Sequence, residues 1–167
     1  MANETNARRV WDFLKSELGL DDLRAAAIMG NFSQESNFNT GAISYDGEGS
    51  LGIGQWTYDR RTALEALGDP TNLETQLRHL ANELAPGGAR RWAWENLLAS
   101  NGSLAELTSI WCDDFETPDP AAANKQHRFD EAQRYLSMFG GGGAQAFTGS
   151  LMNMLAPLHA EGSNYTM

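Results

Sequence analysis

Apolar residues recur at helical spacing through almost all of the first 139 residues, and one glycine-rich stretch interrupts them. Near the start, Val10, Trp11, Leu14 and Leu18 recur every three or four positions and are followed by Gly19. Glycine commonly ends a helix because it adopts a left-handed backbone without steric cost. The spacing therefore predicts a mainly helical domain, and any β structure is confined to the interruption.

Capping residues mark further helix starts. Asp21 is placed to cap a second helix that runs from residue 22 to about residue 36. The segments Thr71-Asn-Leu-Glu74 and Ser103-Leu-Ala-Glu106 match the capping box, in which the hydroxyl and the glutamate each bond a backbone amide of the first turn. Asp119-Pro120 predicts the start of the last helix, because proline suits the first helical position.

The charge balance restricts the partners of the chain. Its 167 residues include 12 Lys and Arg against 22 Asp and Glu, for a net charge of −10, and 41% of the residues are apolar. A chain of this length has room for one domain with a real core. Nucleic acid is not expected as the main partner, because affinity for phosphate depends largely on lysine and arginine. An anionic membrane surface is disfavoured for the same reason.

Cysteine usage excludes a disulfide bond and a structural zinc site as ways of stabilising this fold. Cys112 is the one cysteine, so no internal disulfide can form, and neither CxxC nor HExxH spacing occurs. We expect no metal and no cofactor. The opening residues are typical of an amphipathic helix rather than a secretory signal, and no run of 18 apolar residues predicts a membrane span.

A run of four glycines at residues 140–143 predicts a domain boundary. Every basic residue, and every acidic residue except Glu161, precedes it. We therefore divide the chain into a domain at residues 1–139 and a glycine-rich linker with an apolar tail at residues 140–167. Apolar residues of the tail, from Phe147 to Leu158, can share one helical face. That face either packs back on the domain or docks a partner.

The interruption in the helical pattern runs from Asn37 to Gly54 and contains five glycines. Ile43-Ser-Tyr45 is its one run with strand character. We expect a small β-hairpin or a glycine-rich loop between helices. Irregular segments held on a rigid scaffold are where binding and catalytic residues are concentrated.

Glu35 is the strongest catalytic candidate. It lies near the predicted end of the second helix, where the negative end of the helix dipole disfavours a carboxylate. Phe32, Phe38 and Trp56 can add desolvation. A carboxyl group that stays protonated near neutral pH suits a general acid that protonates a glycosidic oxygen, the pattern for which lysozyme is the standard example.

The residues around Glu35 resemble those of a known family. Glu35-Ser-Asn-Phe-Asn39 followed by Gly52-Ile-Gly-Gln-Trp56 is similar to a motif pair of the lysozyme-like superfamily, in particular the phage tail lysozyme family, which is related to lytic transglycosylases. Phe115-Glu-x-Pro118, Arg128 and Tyr135 resemble the closing segment of that family. The resemblance spans roughly residues 7 to 139. It implies a lysozyme-like α+β fold, mainly α, with a small β-hairpin lobe beside the catalytic helix.

The resemblance implies a role for each matching residue. Glu35 corresponds to the catalytic acid, and Ser36 to a neighbour that helps to hold the site. Gln55 corresponds to a residue that contacts the sugar or supports the acid. Gly52 and Gly54 would let the backbone approach a glycan closely.

Aromatic residues and further carboxylates complete the expected site. Tyr45 and Trp56 offer flat faces of the kind that sugars stack on. Asp46 and Glu48 are candidates for the second carboxylate that hydrolysis by two carboxylates requires. The same Asp-Gly-Glu-Gly segment also suits a solvated turn, and transglycosylases have no such partner.

The activity implied is that of a peptidoglycan-degrading glycosidase. It would cleave the β-1,4 bond between N-acetylmuramic acid and N-acetylglucosamine, as a lysozyme of a phage virion that acts on the host cell wall. A lytic transglycosylase that gives 1,6-anhydromuramic products, a chitinase-like enzyme and a non-catalytic glycan-binding virion module are the alternatives. Residues 140–167 would dock other virion proteins, since a net charge of −10 suits an enzyme delivered by attachment rather than by electrostatic attraction to an anionic wall.

Overall fold

The computed structural model describes residues 2–44 and 49–141, and this part of the chain is predominantly helical. Its seven α-helices are α1 (Ala2–Asp12), α2 (Asp22–Ser36), α3 (Tyr58–Glu65), α4 (Leu73–Leu84), α5 (Arg91–Ala99), α6 (Leu104–Trp111) and α7 (Lys125–Phe139). The π-helical segments Phe13–Glu17 and Cys112–Glu116 continue α1 and α6, and a 3-10 turn, Pro120–Ala122, precedes α7. None of the helices described is long and apolar enough to cross a membrane.

Helix α2 forms the centre of the fold. Every residue from 24 to 33 is buried, because α1, α6 and α7 all pack against this helix. Along this stretch the helix has no solvated face, so its residues are small or apolar except Arg24 and Asn31, whose side chains donate to carbonyl groups of neighbouring elements. The last turn of α2, which carries Glu35, is therefore held on a rigid element.

Two of the predicted helix starts are confirmed. The Asp21 carboxylate accepts a hydrogen bond from the Arg24 amide (3.0 Å) and caps α2. Ser103 and Glu106 form both bonds of a capping box at the start of α6 (3.2 and 2.9 Å). Local side-chain chemistry decided both positions.

The predicted capping box at residues 71–74 is wrong. Asn72 caps α4, because its side-chain oxygen accepts from the amide of Thr75 (3.1 Å). The Thr71 hydroxyl instead donates to Asp69 (2.9 Å) in the preceding turn. Asparagine is as good a cap as threonine or better, so the helix begins one residue later than the pattern indicated.

The last helix also begins later than predicted. Asp119 and Pro120 open only the short 3-10 turn, where the Asp119 carboxylate accepts from the amide of Ala121 (2.9 Å). Asn124 then adopts a left-handed backbone with φ 46°, and α7 begins at the next residue. The break turns the chain so that α7 packs along α2.

The glycine-rich stretch forms no β-strand among the residues described, so the predicted hairpin lobe is not confirmed. Its β pairing there consists of the isolated antiparallel bridges Ile43 to Leu51 and Leu51 to Trp56. The Gln76 side chain donates to the carbonyl of Thr40 (2.9 Å) and accepts from the amide of Ile53 (3.0 Å). A buried side chain therefore satisfies backbone groups that a longer ladder would have paired.

Gly30 permits the close contact between α2 and α7. A Cβ at this position would lie 2.3 Å from the carbonyl oxygen of Arg128 and 2.7 Å from the amide nitrogen of Ala132. We expect Gly30→Ala to destabilise the fold by about 1–3 kcal/mol, because forced separation of the helices outweighs a gain of roughly 1 kcal/mol in helix propensity. Urea unfolding measures this difference. In Gly41→Ala the added Cβ meets no atom closer than 3.7 Å, so a loss of similar size in this control would contradict the explanation.

Candidate active site

Glu35 lies in the last turn of α2, and 17% of its side chain is exposed. Its Oε1 is 2.7 Å from Nη2 of Arg128, a side chain that is only 2% exposed. Arg128 comes from α7, 93 residues further along the chain, so the pair exists only in the folded domain. The carboxyl group is mostly removed from water and still reachable from the surface.

Burial and neighbouring charges shift the pKa of Glu35 in opposite directions. Burial raises the pKa of the Glu35 carboxyl above its ordinary value, because a carboxylate loses solvation there. The neighbouring charge of Arg128 lowers the pKa, as does that of Arg60 to a smaller extent. The outcome is a raised pKa. Glu35 therefore holds its proton to higher pH than a free glutamate does, as a general acid requires.

Arg128 is held in place by the segment before α7 and by α2. Its Nε donates to the carbonyl of Ala123 (2.5 Å), and its Nη1 donates to Oδ1 of Asn31 (3.1 Å). The Asn31 amide in turn donates to the carbonyls of Ala27 (2.8 Å) and Thr108 (3.1 Å). Because its partners other than Glu35 are a backbone carbonyl and a buried amide, the guanidinium is a fixed charge beside Glu35.

Ser36 joins the end of α2 to the second sequence motif. Its Oγ donates to the carbonyl of Ile53 (3.0 Å) and accepts a hydrogen bond from the amide of Phe38 (3.1 Å). The chain leaves the helix here through left-handed conformations at Asn37 and Phe38. Ser36 thus lies where it can hold the turn that follows Glu35.

Gln55, Gly52 and Gly54 contact other residues of the protein. The Gln55 amide donates to the carbonyls of Ala42 (3.1 Å) and Gly52 (3.0 Å). A Cβ on Gly52 would lie 2.7 Å from the Gln76 side chain, and one on Gly54 would lie 2.9 Å from an indole carbon of Trp56. Both glycines therefore make room for protein side chains.

Trp56 does not offer the stacking face that its motif suggested. The side chain is fully buried, and its Nε1 donates to Oε1 of Glu83 (2.8 Å). Its ring packs edge-to-face against His79, with centroids 5.1 Å apart. An indole is apolar enough to join the core when its one donor finds an acceptor, and Glu83 supplies that acceptor.

Glu83 links Trp56 to an arginine near the candidate acid. The two Glu83 oxygens accept from Nε (2.6 Å) and Nη2 (2.8 Å) of Arg60, and the carboxylate itself is 3% exposed. The remaining arm of Arg60 donates to the carbonyl of Phe115 (3.1 Å), and its guanidinium lies 4.6 Å from the centre of that ring. Sequence patterns gave no sign of this ion pair, because its members are 23 residues apart on separate helices.

Glu116 is a second, partly buried acid in this region, and sequence reasoning assigned it no role. Its Oε1 is buried and has no hydrogen-bond partner among the described residues. Burial raises the pKa of the Glu116 carboxyl well above the usual range, and the charge of Glu35 raises it further, while Arg128 and Arg60 oppose this. The sequence signal that pointed to Glu116 is the segment Phe115-Glu-x-Pro118, which resembles the closing segment of the family but was assigned no function.

The remaining predicted site residues, Tyr45, Asp46 and Glu48, lie outside the described residues. Within residues 2–44 and 49–141, no three His, Cys, Asp or Glu side chains are grouped so that they could hold a metal ion. A groove of about 530 Å³ runs beside the segment that follows Glu116. It is lined by Asp113, Thr117, Pro118, Pro120, Ala123, Asn124 and Lys125.

Comparison with known proteins identifies a family for most of the chain. No curated protein matches the sequence. The sequence model of the phage tail lysozyme family matches residues 5–139, which takes in all seven helices apart from the first residues of α1 and leaves the tail outside. The chain therefore belongs to the phage tail lysozyme family, which indicates a lysozyme-like, peptidoglycan-degrading enzyme of phage origin.

Proposed function

We propose that the protein is a muramidase that cleaves the β-1,4 bond between N-acetylmuramic acid and N-acetylglucosamine, with Glu35 as the general acid. The observation that supports this most directly is the Glu35 carboxyl itself. It is largely desolvated, partly accessible, and fixed against a buried arginine. Burial raises its pKa, which extends the pH range over which it carries the proton that the leaving oxygen needs.

Arg128 can stabilise Glu35 after Glu35 has given up its proton. When Glu35 transfers its proton to the glycosidic oxygen, a carboxylate is left in a poorly hydrated site. The Arg128 nitrogen at 2.7 Å stabilises that carboxylate without any rearrangement, because the guanidinium is already held by backbone carbonyls and Asn31. Preorganised charge of this kind favours the transition state, in which the negative charge develops.

The fate of the sugar depends on a second group. We propose Asp46 or Glu48 as the carboxylate that activates water or forms a covalent intermediate, with Tyr45 and Gln55 as substrate contacts. The alternative is attack by the 6-hydroxyl of muramic acid on its own anomeric carbon, which forms the 1,6-anhydro ring as the bond to the leaving oxygen breaks. That route requires no second carboxylate, because Glu35 gives its proton to the leaving oxygen and the resulting carboxylate takes the proton of the 6-hydroxyl.

Digestion of purified peptidoglycan, followed by mass spectrometry of the soluble fragments, tests the proposal. We expect muropeptides with N-acetylmuramic acid at the reducing end. Fragments that end in 1,6-anhydromuramic acid would show that the enzyme is a lytic transglycosylase and not a hydrolase. Faster release from chitin than from peptidoglycan would identify a chitinase-like enzyme. Measurable glycan binding without any release would contradict an enzymatic role and leave a glycan-binding module of the virion.

We further propose that the protein is a component of the phage tail, attached through residues 140–167, and acts on the host cell wall. The proposal is supported by the uneven charge distribution. All 12 basic residues and 21 of the 22 acidic residues lie before Gly140. Attachment supplies a high local concentration at the wall, which a domain with this negative charge would not gain by electrostatic attraction.

Truncation after Gly141 separates peptidoglycan cleavage from attachment to the phage tail. The Gly140 amide donates to the carbonyl of Leu136 (2.9 Å), and the Gly141 amide donates to the Asp22 carboxylate (2.8 Å). A chain that ends at Gly141 keeps these bonds, so we expect unchanged peptidoglycan release and loss of incorporation into particles. Immunoblots of purified virions from a complemented phage measure incorporation. Normal incorporation of the truncated chain would contradict attachment through the tail.

A further inference from the structure

Tyr58 is an exposed aromatic residue in a backbone conformation that tyrosine rarely adopts. Its φ is 44°, in the left-handed region, where a Cβ lies too close to the backbone. The residue is 69% exposed, and none of the described residues forms a hydrogen bond or a ring contact with its side chain. Glycine would adopt the same conformation without steric cost, so the local backbone does not favour tyrosine here.

The other non-glycine residues with a positive φ differ from Tyr58 in this respect. Two of them are asparagines, which tolerate the left-handed region. Phe38 is fully buried, and the Gln55 side chain donates two hydrogen bonds to backbone carbonyls. Thr117 ends the π-helical segment, where its amide bonds the first carbonyl of that segment (2.9 Å). Among the residues described, only the side chain of Tyr58 combines a positive φ with high exposure of an aromatic ring.

Hydrogen bonds on both sides hold the turn that contains Tyr58. The carbonyl of Thr57 accepts from the amides of Arg60 (3.0 Å) and Arg61 (3.1 Å). The Arg60 side chain is fixed by its buried ion pair, and Nη1 of Arg61 donates to the carbonyl of Gly49 (2.5 Å). A strained backbone persists only where its surroundings fix it. The backbone of Tyr58 is therefore a rigid base for its exposed ring.

The contacts of Arg60 connect this turn with the helix that carries the catalytic candidate. Two residues after Tyr58, the Arg60 guanidinium lies 4.6 Å from the ring centre of Phe115. Phe115 packs edge-to-face against Phe32 of α2, with centroids 6.3 Å apart. Phe32 precedes Glu35 by three residues, which is about one helical turn.

The segment that precedes Tyr58 also contacts the end of α2. The carbonyl of Ile53 accepts a hydrogen bond from the hydroxyl of Ser36 (3.0 Å), the residue next to Glu35. Tyr58 thus lies between two stretches of chain that are both attached to the last turns of α2. Trp56, between Ile53 and Tyr58, points its ring into the core, whereas the ring of Tyr58 is accessible.

We propose that Tyr58 is a substrate-binding residue on which a pyranose ring of the glycan stacks. This inference rests on the proposed function, in which the substrate is a glycan. A pyranose ring presents C–H groups on its faces, and these pack on a flat aromatic surface while the sugar hydroxyls keep contact with water or polar side chains. The contact uses the ring of Tyr58 and not its hydroxyl. It stabilises the complex with the glycan, whereas the strained backbone destabilises the free domain.

Kinetics with soluble, uncrosslinked peptidoglycan chains test this assignment. We expect Tyr58→Gly to raise KM by about 2- to 10-fold, with kcat little changed, because an aromatic contact is lost. Tyr58→Phe keeps the ring and should keep the KM of the wild type. Since glycine relieves the left-handed strain, the urea midpoint of Tyr58→Gly should equal or exceed that of the wild type. A lower midpoint would show that the ring stabilises the fold, and it would overturn the proposal, as would an unchanged KM.

Trp92→Ala is the matched control, because Trp92 is another exposed aromatic residue, at 46%, and lies on α5. Its KM should equal that of the wild type. An equal rise in KM for Trp92→Ala and Tyr58→Gly would show that loss of any exposed aromatic ring weakens binding, which would contradict a specific role for Tyr58.

Sedimentation with insoluble peptidoglycan measures binding without catalysis. Each variant is combined with Glu35→Gln so that the polymer stays intact. We expect Tyr58→Gly to sediment less than Tyr58→Phe and than Glu35→Gln alone, and equal binding by all three would overturn the assignment of Tyr58. If the wild type released nothing from peptidoglycan, the proposed cleavage would fail, while sedimentation would still decide whether Tyr58 binds the glycan.

Discussion

Replacement of Glu35 by glutamine is expected to lower the rate of peptidoglycan cleavage by about 10²–10⁴-fold. Glutamine has nearly the same shape and still offers Arg128 an oxygen acceptor at the position of Oε1, so the fold should be retained. It cannot donate a proton to a leaving oxygen. The loss should therefore appear in kcat, with KM little changed, because binding contacts with the glycan remain. The rate at which soluble muropeptides are released measures the effect, at a pH low enough for Glu35 of the wild type to be protonated.

Glu65→Gln is the matched control for this experiment. Glu65 pairs with Arg61 on the exposed face of α3, with 44% of its side chain accessible. The variant loses one carboxylate of the same type from an exposed ion pair that is not among the proposed catalytic groups, so its rate should equal that of the wild type. Thermal unfolding of both variants checks that the fold is intact. A folded Glu35→Gln variant with the wild-type rate would show that another group supplies the proton.

Removal of Glu83 is expected to have the largest effect on stability. Glu83 accepts hydrogen bonds from Trp56 and two from Arg60, all at 2.6–2.8 Å, in a site where it is 3% exposed. Glu83→Ala leaves a largely buried guanidinium without its counterion and an indole N–H without its acceptor. Breaking a buried ion pair on one side costs about 3–5 kcal/mol, since the remaining charge stays desolvated. Urea or thermal unfolding followed by circular dichroism measures this loss.

The control for Glu83 is a glutamate that pairs with arginine at the surface. Glu95 contacts Arg91 at 3.0 Å one turn away on α5, and 52% of its side chain is exposed. An exposed pair of this kind contributes at most about 1 kcal/mol, so Glu95→Ala should change stability little. Equal losses in the two variants would contradict the view that burial of the Glu83 cluster makes it important.

The helices and their starts illustrate how far local patterns determine this fold. The apolar spacing predicted the first helix, and the caps at Asp21 and Ser103, which predicted α2 and α6, lie where short-range hydrogen bonding places them. Prediction of a helix start failed where another residue within four positions took the expected role. Asn72 displaced Thr71 as the cap of α4, and Asn124 rather than Pro120 precedes α7. Such competition depends on the direction in which the chain approaches, which the pattern does not contain.

By itself, the sequence determined the mainly helical domain, the glycine-rich interruption and the position of Glu35, the catalytic candidate, near the end of a helix. Tertiary structure decided the surroundings that control the chemistry of that residue. Arg128, Arg60 and Glu116 reach the site from α7, α3 and the segment after α6, and tens of residues separate each of them from Glu35. Solvation and charge act through space, so the pKa of a carboxyl group depends on neighbours that only folding brings together.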